Sequence, residues 1–184
     1  MSESSNTIIR QFETITVSEF IEKFEGKTHP GFALVMSSRL ETSLTQLIEL
    51  YMQKKNRDLR DKIFRGYGPL STFSSKIDVA FAFGLINSED RLILDTVRSI
   101  RNAFAHTDED NLTFDDAKIM KLIKKFPDVN TVQAGQIEPS NSLLYAHNIV
   151  ACTNSLHTHY RQLIIRLTEF AQTKPSKPWP GILP

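Results

Sequence analysis

The sequence predicts an all-α fold, a compact helical bundle of about six or seven helices, and three observations predict it. Apolar residues recur at gaps of three and four along nearly the whole chain, the spacing of a helix that buries one face. Only seven glycines occur in 184 residues, too few for a fold built on many tight turns. The apolar runs are bounded by helix-start and helix-stop residues rather than by hairpin signals.

Thr16 and Glu19 have capping-box spacing and predict a short first helix carrying Phe20, Ile21 and Phe24, closed by Gly26. Pro30 opens a longer one whose stripe is Ala33, Met36, Leu40, Leu44, Leu47 and Tyr51. The charged run QKKNRDLRDKIFR adds a surface turn or two of helix. Two glycines and a proline in GYGPLST, residues 66–72, then force a turn. A helix is expected from about Ser71 to Leu85. INSED interrupts it, and Ser88 is the expected N-cap of the next helix, with Glu89 and Asp90 favouring its positive end.

Ile93, Val97, Ile100 and Phe104 form the buried face of that helix, which runs to His106. Thr113 with Asp116 repeats the capping-box spacing and starts a helix through Ile119, Leu122 and Ile123 that stops before Pro127. Residues 128–139 have no periodicity and read as a loop. Ser140 opens the longest helix, to about Gln172, with the seam Ile149, Cys152, Leu156, Tyr160, Leu163, Leu167 and Phe170, suited to a core, a partner surface or both. The organisation expected is one helical domain over residues 1–172 and a proline-rich tail over 173–184, with Trp179 packed or free.

Bulk composition narrows the function classes. A net charge of +1 gives no global field toward nucleic acid or anionic lipid, so any such contact must come from a local patch. One cysteine, Cys152, excludes an internal disulfide and a multi-cysteine metal cluster; its place in an apolar stripe predicts a small buried hydrophobe. No run approaches the roughly 18 apolar residues of a membrane span, and the first residues lack a secretory pattern, so a cytoplasmic protein with no membrane partner is expected.

The stretch SIRNAFAHTDED carries the most pointed chemistry. Five positions along an ideal helix turn by about 500°, which leaves Arg101 and His106 about 140° apart. They converge only if the helix ends between them or if two subunits bring their pairs together, and the polar run from Thr107 makes a helix end near His106 reasonable. A histidine can take the proton of a ribose 2′-hydroxyl while an arginine holds the phosphate, which together would cleave RNA without metal. A purely structural account is also open: His106 would suit the negative helix end, and Arg101 would snorkel or pair with an acid such as Asp95.

Other patterns carry less. His157 and His159 are two apart, so on a helix they do not share a face, and no convergent zinc set accompanies them. TDEDNLTFDD places Leu112 and Thr113 where an EF-hand loop needs an oxygen ligand and a glycine. No metal or cofactor is therefore expected. Lys54, Lys55, Arg57, Arg60, Lys62 and Arg65 form a basic segment for phosphate or partner contact, of which Lys54, Lys55, Arg57 and Arg60 are the candidate binding residues; a solvated helical face accounts for them equally well. No helix-turn-helix is legible.

Linked elements resemble the mannitol operon repressor (MtlR-like) family: Gly68-Pro69-Leu70 before a helix, Gly84-Leu85-Ile86-Asn87 closing it, Arg-x4-His ending the next, Asp115-Asp116, and Ser142-Leu143-Leu144-Tyr145-Ala146. They span residues 66–146. The resemblance implies a cytoplasmic, all-helical bacterial transcriptional regulator of sugar-alcohol uptake, acting through a protein partner or a non-standard DNA contact. RNAFAH also resembles the Arg-x4–6-His motif of HEPN domains, all-helical modules of which many are ribonucleases. That second resemblance implies a homodimer with a composite site in which Arg101 holds the phosphate, Asn102 orients the site and His106 acts in proton transfer or positioning.

Overall fold

The computed structural model describes Thr16, Ser18, Glu22 and residues 27–52, 56–106, 112–127 and 140–172. Among these residues it is an all-α bundle of six helices: α1 (His29–Tyr51), α2 (Arg57–Phe64), α3 (Phe73–Ala82), α4 (Ser88–Ala105), α5 (Ala117–Ile123) and α6 (Asn141–Gln172). The expected first helix through Phe20, Ile21 and Phe24, the loop over 128–139 and the proline tail lie outside the described residues.

The central helix is α1, which packs most extensively on α6 and α4 and also meets α3. Thr28 caps it, accepting from the Gly31 N–H at 3.3 Å, with Pro30 in the first turn where its missing N–H costs nothing. The expected stripe from Ala33 to Leu47 is fully buried, while Tyr51 at its end is only partly so. Asn56 caps α2 by accepting from the Leu59 N–H at 2.7 Å. The turn after α2 needs glycine at two places. Gly66 has φ +57°, and a Cβ on Gly68 would stand 2.4 Å from the carbonyl oxygens of Lys62 and Ile63.

The third helix is shorter than expected at both ends. Its N-cap is Thr72, which accepts from the Ser75 N–H at 3.1 Å, and its helical hydrogen bonding stops at Ala82. The stop is a Schellman motif. Leu85 N–H donates to Ala80 O at 2.9 Å, Gly84 N–H donates to Phe81 O at 3.0 Å, and Gly84 takes φ +65°. The fourth helix is capped by Asn87 rather than by Ser88: the Asn87 side chain accepts from the Asp90 N–H at 2.8 Å. Asn and Ser are comparable caps, so sequence could not choose between neighbours.

The capping-box spacing at Thr113 is met only in its backward half. Asp116 accepts from the Thr113 N–H at 2.6 Å and its hydroxyl at 2.8 Å, which holds the Asp116 carboxyl below the usual carboxylate range, and α5 starts only at Ala117. Phe114, beside this turn, is the hub of the aromatic core, with ring centroids 5.0 Å from Tyr145, 5.1 Å from Phe104, 5.4 Å from His29 and 6.0 Å from Phe32. Tyr145 is fully buried; its hydroxyl donates to Ala33 O at 3.2 Å, and burial pushes its ionisation far up.

The seam of α6 divides. Ile149, Cys152 and Leu156 are core, Tyr160 and Leu163 are partly buried, and Ile165 is 56% exposed. Among the described residues, no helix is long and apolar enough to cross a membrane. His157 is buried, and His159 Nε2 lies 3.3 Å from Asp90 Oδ2, an acid that also accepts from Ser155 at 3.0 Å.

Two expectations follow. Gly68→Ala forces a backbone shift and lowers stability by about 1–3 kcal/mol in urea unfolding, an over-packing cost; a variant with wild-type stability contradicts the close approach at this turn. Burial beside Asp90 pushes the Cys152 thiol well up, so a thiol reagent labels it only after unfolding, and rapid labelling of the native chain contradicts that environment.

Candidate functional site

Three elements converge at one cleft of about 480 Å³: α1 through Glu41, the first turn of α3 through Ser71, Thr72 and Ser74, and the last two turns of α4 through Arg98, Arg101, Asn102 and His106. The α4 residues meet on one face of the helix: Arg98, Arg101, Asn102 and Ala105 stand at i, i+3, i+4 and i+7. The helix stops at Ala105; His106 is the C-cap, with φ −116° and ψ 20°, while its N–H still donates to Asn102 O at 3.1 Å. His106 follows Asn102 by four positions and so lies next to it along the helix, at the edge of the cleft that Arg101 also borders. Arg101, Asn102 and His106 thus line the same cleft of a single chain.

The acid that engages Arg101 is not Asp95. Asp95 belongs to Arg98 at 3.3 Å and Arg91 at 3.8 Å, whereas Arg101 Nη1 donates to Glu41 Oε2 at 3.0 Å. Sequence could not find this partner, because it lies 60 positions away on another helix. The other Glu41 oxygen, Oε1, accepts from Lys76 Nζ at 2.7 Å. One carboxylate therefore bridges a lysine of α3 and an arginine of α4. The Lys76 side chain is only 9% exposed, and a buried ammonium needs such a partner; Arg101, 36% exposed, keeps further donors toward the cleft.

Other polar residues border the same space. Arg98 Nε is buried with no hydrogen-bond partner among the described residues. The start of α3 contributes three hydroxyls and the partial positive charge of a helix N-terminus. The imidazole of His106 is exposed at the edge of the cleft. The arrangement can hold an anion between guanidinium and hydroxyl donors with a base at one side.

The basic segment fares differently. Lys54 and Lys55 lie outside the described residues. Arg57 and Arg60 are exposed on α2, but Arg60 Nε donates to Glu49 Oε1 at 2.5 Å, and Arg65 pairs with Asp61 at 3.2 Å. Among the described residues of this segment, none borders the cleft. A cationic stripe that the sequence reading passed over lies on the other side of α4. Lys118, Lys121 and Lys125 line a second groove with Asn102, and their gaps of three and four, interleaved with Ile119, Leu122 and Ile123, were the signal for it.

Glu41→Gln leaves Lys76 buried without its counter-charge. Urea unfolding is expected to show a loss near the lower end of the roughly 3–5 kcal/mol that removing one member of a buried pair costs, since Glu41 keeps some exposure. Adding Lys76→Met recovers part of the loss, whereas strictly additive losses contradict the bridge. No family model, no curated protein and no solved structure matches this chain.

Proposed function

We propose that the chain is a metal-independent endoribonuclease of HEPN type acting in the cytoplasm. The observation that supports it best is the shared cleft: Arg101, Asn102 and His106 border one space of a single chain. In this reading Arg101 and Arg98 hold a phosphate of the RNA, helped by the hydroxyls at the start of α3. His106 takes the proton of the ribose 2′-hydroxyl as its oxygen attacks the adjacent phosphorus. The P–O5′ bond breaks, leaving a 2′,3′-cyclic phosphate, and the departing 5′-oxygen takes a proton from solvent. The guanidinium of Arg101 stabilises charge that grows on the phosphate oxygens. Asn102, exposed between the two, orients the substrate. A homodimer, which the HEPN resemblance implies, would set a second copy of these residues beside the first.

A regulator of the mannitol operon repressor type is the second reading. Its support is the solvent-facing side of α2, where Arg57 and Lys62 are exposed. The internal pairing of Arg60 and Arg65 speaks against α2 as a phosphate-contact surface, so partner binding is the form of this reading we retain.

The test is cleavage of a mixed pool of structured and single-stranded RNAs in EDTA. Wild type is expected to cleave and to leave cyclic phosphate ends, and His106→Ala to lose at least about 100-fold in rate, as removal of a general base does, with unchanged thermal unfolding. Absence of cleavage by the wild type, or equal cleavage by the variant, removes the proposal.

A further inference from the structure

The groove beside the candidate cleft is lined by Lys118, Lys121 and Lys125, with Ser99 and Asn102 of α4 on its other wall and an apolar floor that includes Leu122. It has a volume of about 530 Å³, and Asn102 borders both it and the cleft, so the two are continuous across the last turns of α4. The three lysines follow one another along one side of α5 and the turn after it, and Lys125 is held there by its N–H donating to Leu122 O at 2.9 Å.

Several cations elsewhere on the surface are paired within the chain. Arg60, Arg65, Arg91, Arg98 and Arg101 each have a carboxylate within 4.0 Å. Lys118, Lys121 and Lys125 are all exposed, and among the described residues no carboxylate pairs with any of them. An exposed row of three ammonium groups fits a regularly spaced polyanion. Continuity with a cleft that holds two arginines, a histidine and three hydroxyls favours a phosphate chain over an acidic peptide, because hydroxyl and guanidinium donors together match phosphate oxygens.

We infer that the Lys118–Lys121–Lys125 stripe is the track along which a single-stranded RNA lies as one of its phosphates enters the Arg101–His106 cleft. This rests on the ribonuclease reading for the cleft and adds the substrate's path. It assigns to the lysines affinity without sequence preference, since phosphate contacts position a strand and carry no base readout. Asn102 then stands where the strand turns from the track into the cleft.

The experiment follows the binding of a fluorescent, single-stranded 2′-O-methyl RNA, whose blocked 2′-oxygen prevents cleavage, between about 50 and 200 mM salt. The triple variant Lys118→Gln/Lys121→Gln/Lys125→Gln is expected to bind at least tenfold more weakly at low salt. Its log–log salt slope should be shallower by about 2, at roughly 0.7 for each phosphate that the variant no longer neutralises. A triple variant with wild-type affinity and slope overturns the track, as does a wild type that binds an oligoglutamate peptide more tightly than the RNA. Unmodified RNA separates this from the nuclease reading. If the slope falls but wild type cleaves nothing, the track stands and the chemistry fails; if wild type cleaves and the slope is unchanged, the chemistry stands and the track fails.

Discussion

The carboxylate of Glu41 is the contact on which the site depends. From the middle of α1 it accepts from Lys76 through one oxygen and from Arg101 through the other, so three helices are tied at one point. Lys76 on α3 is nearly buried, where an ammonium needs a hydrogen-bonded counter-charge. That requirement places the start of α3 against α1, and with it the hydroxyls of Ser71, Thr72 and Ser74 at the cleft rim. The same anion fixes the direction of Arg101, which on a solvent-facing turn would otherwise sample many rotamers. Because a guanidinium has five N–H donors and Glu41 engages it through Nη1, the arginine is oriented by Glu41 and remains able to bind a second anion.

Beneath this polar tie lies a core that explains its rigidity. Phe114 touches rings contributed by α1, α4 and α6, so the segment before α5 is an internal strut rather than a surface connection. Tyr145 adds a hydrogen bond from the middle of the aromatic cluster to the backbone of α1. The core thins along α6: Tyr145, Ile149, Cys152 and Leu156 are buried, and the described side chains beyond His157 are partly or fully exposed. The candidate cleft thus sits on the α1–α3–α4 side, held by packing on its inner face and by the Glu41 bridge at its wall.

Much of the fold was legible in the sequence because helical periodicity is a local signal. The stripes of α1, α4 and the first half of α6 are buried as their spacing requires, whereas α3 ends before the expected Leu85, at the left-handed Gly84. The misplaced boundaries share a cause. Asn87 and Ser88 are both good caps, as are Ser71 and Thr72, and the choice between them depends on which side chain reaches a free N–H. The site was legible only in part. A helix end near His106 could be read from the polar run after it, but the partner of Arg101 could not, since Glu41 lies far away in sequence. Several elements that carry the mannitol repressor resemblance serve the fold: Gly68 allows a close backbone approach, Gly84 a left-handed turn, and Tyr145 fills the core. They bear on architecture more than on activity.

The most direct test of an oriented arginine and a histidine sharing one ligand is an NMR titration with an uncleavable 2′-deoxy dinucleotide, following the His106 imidazole resonances. Saturable shifts at His106 are expected in wild type, with much weaker saturation in Arg101→Lys, which keeps the charge but loses the planar fork. A dinucleotide that leaves His106 unmoved, or that binds equally well to both proteins, would contradict the shared site.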